Sequence, residues 1–116
     1  MTQNDLTKKL QTIIDTTENS IERAVAKEAL DADDIQHFFS DLLGYGCVSG
    51  MISSLIYYVD THAFFDTHYD HIQEALQEYE ANHGEPFKIK GDLKNSLAWF
   101  AFEYSAYELA SQLELL

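Results

Sequence analysis

Lys and Arg are missing from residues 28–87, a stretch that nevertheless carries twelve carboxylates: Glu28, Asp31, Asp33, Asp34, Asp41, Asp60, Asp66, Asp70, Glu74, Glu78, Glu80 and Glu85. Across all 116 residues there are 20 acids against 7 bases, a formal net charge of −13. Uncompensated like charges repel and destabilise a compact state, so most domains interleave their signs. Direct binding to nucleic acid is excluded by this balance, because it needs a basic footprint to displace counterions. An anionic membrane surface is disfavoured on the same ground. Basic proteins, including those that normally hold nucleic acid, are the favoured partners.

Other absences narrow the class further. A single cysteine, Cys47, excludes an internal disulfide and fits a reducing cytoplasm. The N-terminal segment lacks the apolar stretch and cleavage site of a signal peptide. The longest uncharged run, residues 42–59, is interrupted by Gly44, Gly46, Ser49, Gly50, Ser53 and Ser54 and has acidic flanks, so it reads as a buried helix rather than a membrane span. With one proline, no repeat and no low-complexity linker, residues 1–116 read as a single domain. Residues 1–15 are expected as a peripheral or a mobile helix.

What is present has helical spacing. The chain is 46% hydrophobic and 13% aromatic, too rich in both for a disordered acidic tail. Leu6, Leu10, Ile13 and Ile14 mark a first amphipathic helix, and Ile21, Val25, Ala29 and Leu30 a second. Asp33 or Asp34 is placed to cap a third, with Ile35, Phe38, Phe39, Leu42 and Leu43 inward and Gly44 as its stop. Met51, Ile52, Leu55, Ile56 and Val59 line a fourth. Asp60 or Thr61 opens a long fifth helix running to Asn82, stopped by His83-Gly84-Glu85-Pro86. Asp92 caps the last, which is apolar nearly all round between Leu97 and Leu113 and so belongs at the centre or in a homodimer interface. The expectation is an all-α bundle of about five to six helices.

Treated as one continuous helix, the fifth segment turns Phe64, Phe65, Tyr69, Ile72, Ala75, Leu76 and Tyr79 to one face. Asp66, Asp70, Glu74 and Glu78 form a row on the other, each four residues from the next. That puts neighbouring carboxylates about 6 Å apart along the axis. It costs a few tenths of a kcal/mol per pair, with no basic residue in the helix as offset. A nucleic-acid strand spaces its phosphates similarly, so such a row fits a basic groove built for phosphates. The alternatives are a plain solvated face that aids solubility, and a helical interaction or assembly protein, a homodimer through the last helix, with no mimicry. Asp31, Asp33, Asp34 and Asp41 would join the row if they lie on the same side.

Chemistry has weaker footing. His62 and Asp66, and His68 and His71, have metal-ligand spacing, but on a continuous helix no three converge, so neither metal nor other cofactor is expected. A small enzyme using Cys47, His62 or Asp60 is the chemical alternative, with Cys47 near a helix start where its thiol pKa would fall. Gly44, Gly46 and Gly50 make no phosphate loop, since no Lys-Ser/Thr follows.

The segments GYGCVSGMISSLIYYVDTHAFFDTHYDHI and NSLAWFAFEYSAYELA resemble a family of small proteins from bacteriophages, prophages and related bacterial genomes. The shared pattern is Gly-Cys-x-Ser-Gly-Met, then Leu-Ile-Tyr-Tyr-x-Asp-Thr, then Leu-Ala-Trp-Phe, covering residues 35–113. The resemblance implies no catalytic residue. It implies a context in which small acidic proteins inhibit host defence, as anti-restriction and anti-CRISPR proteins do, some by mimicking nucleic acid. Gly46, Gly50, Met51, Tyr57 and Trp99 look like packing residues within it.

Overall fold

A computed structural model describes residues 2–44, 60–89 and 91–115. The chain is an all-α single-domain bundle. Its described helices are α1 (Gln3–Thr16), α2 (Ser20–Asp31), α3 (Ile35–Gly44), α4 (Thr61–Thr67), α5 (Tyr69–His83) and α6 (Leu93–Gln112). The expected helix through Met51 and Val59, and with it Cys47, lies outside the described residues.

Polar side chains start most of these helices by taking up backbone N–H groups that have no intrahelical acceptor. Thr2 and Asp5 form a reciprocal capping box at α1. Asn19 accepts from the N–H groups of Ile21 and Glu22 at α2. Asp34, rather than Asp33, accepts from His37 N–H at α3. Asp60 and Asp92 do the same for α4 and α6. At its other end α5 stops on Gly84, whose φ of 71° suits a residue with no Cβ.

The last helix is the spine. α6 packs against α2, α3, α4 and α5, and buries Leu97, Phe100, Phe102 and Leu109 together with Ala98, Ala101, Ala106 and Ala110. The alanines let neighbouring helices approach closely. Phe102 is 2% exposed and meets the edge of Phe64, so it lies inside the domain. α1 lies against α2 and α3, with Leu6 and Leu10 fully buried.

The long fifth helix is in fact two. Backbone bonds from His68 N–H to the Phe64 carbonyl and from Ile72 N–H to the His68 carbonyl meet at His68, whose φ/ψ of −109°/22° leaves the helical region. His68 thus ends α4 and begins α5. Thr67 and His68 are both weak helix formers, so little local preference opposes the break. It lets α4 press Phe64 and Phe65 into the core while α5 inserts Ile72. Tyr69, expected inside, is half exposed. No described helix is long and apolar enough to cross a membrane.

Candidate functional site: an acidic cleft between three helices

Ala101, Tyr104, Ser105 and Glu108 share one face of α6 through their i, i+3, i+4, i+7 spacing. His71, Glu74, Ala75 and Glu78 do the same on α5. The two faces meet at the start of α2, beside Asn19 and Ile21, around a cleft of about 390 Å³ counting its open mouth. No Lys or Arg lines it among the described residues.

The carboxylates here act on one another. Tyr104 Oη donates to Glu78 Oε1 at 2.9 Å. Burial first, then the Glu78 hydrogen bond and charge, pushes the Tyr104 phenol up to about 12. Glu108 is held above the usual carboxylate range by burial, then by Glu78 and by Glu22 of α2. Glu103 is raised by burial alone. Arg23, the cation next to Glu22 in sequence, donates instead to the Ile14 and Thr17 carbonyls at the end of α1.

One rim of the cleft is tied down by histidines. Ser20 Oγ lies 2.7 Å from His68 Nδ1 and 2.8 Å from His71 Nδ1. A hydroxyl has one proton to give, so at least one ring must donate Nδ1–H to Ser20. His68 is held below its ordinary pKa by burial and then by His71. The two rings stand at i, i+3, neighbours along the chain at the start of α5, and both reach the one Ser20 hydroxyl.

The predicted row is therefore divided. Asp66, Asp70, Glu74 and Glu78 are all exposed, but only Glu74 and Glu78 line the cleft. Asp66, on α4, takes a 3.0 Å ion pair from Lys94 of α6, an offset that the helix's own sequence does not contain. Asp31 ends α2 and Asp33 and Asp34 follow it, all three exposed, with Asp31 beside Glu28, which burial and then Asp31 raise. Nine residues of helix separate Glu22 from Asp31, about 13 Å. The side chain of Asp41 lies outside the described residues. The His62 ring bonds Asp92 rather than Asp66, and Asp60 caps α4 by accepting from the His62 and Ala63 N–H groups. Among the described residues, no three His, Cys, Asp or Glu side chains are grouped to hold a metal ion.

Sequence spacing missed Glu22, Tyr104 and Glu108. The signal available was Glu103 and Glu108 within the otherwise apolar α6, since a carboxylate there must face either solvent or a polar niche.

The fold and cleft define a small all-helical protein with a carboxylate-lined groove. The chain belongs to the DUF7222 family, a domain of unknown function, whose family model matches residues 4–115. No curated protein and no solved structure matches it.

Proposed function

We propose that the chain is a non-catalytic inhibitor of phage type, whose acidic face occupies a basic, nucleic-acid-binding surface of a host defence complex. The targets in view are restriction or CRISPR nucleases, reached in the host cytoplasm. The observation that carries the reading is the gathering of Glu22, Glu74, Glu78 and Glu108 from three helices with no Lys or Arg lining the cleft between them among the described residues. Exposed Asp70 continues the acid along α5, and Asp31, Asp33 and Asp34 add negative charge at the other end of α2. Uncompensated acid at this density costs stability, so a surface that keeps it is suited to a complementary partner. Lys94 removes part of the charge at Asp66, which moves the centre of the contact toward Glu74 and Glu78.

Electrostatic steering gives fast association that weakens steeply with salt. The test replaces Asp70, Glu74 and Glu78 with Lys and measures binding to, and inhibition of, purified restriction and CRISPR complexes at low and high salt. Loss of salt-sensitive inhibition supports the reading. Unchanged inhibition by the reversed protein sinks it.

A further inference from the structure

Ser105 is 7% exposed and lines the cleft, yet its hydroxyl has no hydrogen-bond partner among the described residues. It is not an orphan sealed in the core, since no buried side-chain N or O among the described residues lacks a partner. The hydroxyl opens onto the cleft, an acceptor held below a rim of carboxylates. Glu74 and Glu78 stand across from it on α5, and Glu108 and Tyr104 flank it on α6. Three carboxylates, a hydroxyl and a phenol ring with no Lys or Arg among the described lining make an incomplete set, the one imidazole there, His71, being engaged by Ser20.

We propose that this cleft is a binding site for a guanidinium group, supplied by an arginine of the partner protein, with Glu74, Glu78 and Glu108 as anions, Ser105 as acceptor and Tyr104 as aromatic wall. The site deepens the acidic-face reading and rests on it for the identity of the partner. A point-like metal ion is the poorer match, because no three carboxylate or imidazole groups among the described residues converge enough to ligate one. A guanidinium is planar, weakly hydrated and carries five N–H donors, so it can reach acceptors spread over two helices and lie against a ring. Burial first and the neighbouring Glu78 and Glu22 second disfavour the charged Glu108, and an entering cation offsets both.

The probe is methylguanidinium, added to the full chain at constant ionic strength and followed by amide and side-chain NMR, with tetramethylammonium and Ca²⁺ as parallel arms. Saturable shifts centred on Tyr104, Ser105 and Glu108 are expected for methylguanidinium. Binding should weaken about tenfold in Glu108→Gln, the size of one charge-assisted hydrogen bond. Ser105→Ala, a small change that preserves the helix, should weaken it by a smaller factor. Equal shifts with tetramethylammonium, tighter binding of Ca²⁺ at the same residues, or unchanged affinity in Glu108→Gln would overturn the assignment. Failure of the broader reading looks different: the cleft would bind methylguanidinium while the protein inhibited no defence complex. Conversely, inhibition that survives Glu108→Gln and Ser105→Ala but not reversal of the α5 acids would remove the pocket and keep the acidic face.

Discussion

Lowering the pH from about 7.5 to about 5 sets two groups of side chains against each other, and the contact of Ser20 with His68 and His71 decides the shape of the response. His68 has a folded-state pKa below its ordinary 6.5, because burial and then His71 disfavour the charged ring. As pH falls through 6.5 the unfolded chain gains a proton that the folded chain refuses, so stability drops between 6.5 and the lower folded value. One such proton corresponds to at most about 1.4 kcal/mol per pH unit. His68 is open enough to solvent that screening keeps the slope to a fraction of this.

Glu28, Glu103 and Glu108 act with the opposite sign. Burial leads in each, joined by Asp31 at Glu28 and by Glu78 and Glu22 at Glu108, and all three are raised above 4.5. The folded state therefore takes up these protons first as pH falls, and stability rises between their folded values and 4.5. Wild type should show a shallow profile with a dip below 6.5, whereas His68→Gln should lose the dip and rise steadily. Urea unfolding followed by circular dichroism across this range measures both curves. A difference between the two proteins that stays constant from about pH 7.5 to about pH 5 refutes the assignment to His68. Ring-nitrogen NMR gives an independent check: finding both rings protonated only on Nε2 at neutral pH would contradict the bridge through Ser20.

Two further substitutions probe the fold. Asn19→Ala removes the acceptor for two N–H groups at α2 and should cost about 1 kcal/mol in urea unfolding, with no loss of helix elsewhere. Phe102→Ala, in the spine at 2% exposure, should cost about 3–5 kcal/mol and lower Tm by more than about 10 °C; a loss under about 1 kcal/mol would show that α6 is not central.

Much of the fold was legible because local signals carry it. Asp60, Asp92 and Gly84 mark helix ends by chemistry that needs no tertiary information, and the apolar girth of α6 implied a central helix or a subunit interface, without deciding between them. The break at His68 was not legible, since Thr67 and His68 only weaken a helix and the decision belongs to packing of Phe64 against Phe102 and of Ile72 in the core. The candidate site was half legible. Glu74 and Glu78 follow from spacing on one helix, but Glu22, Tyr104 and Glu108 come from other helices, and pairing across the bundle has no period to read. Lys94 illustrates the same limit, lying 28 residues from the Asp66 it neutralises.

The position of the spine at the end of the helical order has a consequence for biosynthesis. α2, α3, α4 and α5 each spend part of their apolar face on α6, which the ribosome makes after all of them. The α1–α2 pair can meet early, but the core around Phe100, Phe102 and Leu109 has nothing to close upon until that stretch has emerged. Closure of this core thus waits until α6 has left the ribosome, and a nascent chain arrested before Leu97 should remain open to proteolysis from α3 onward.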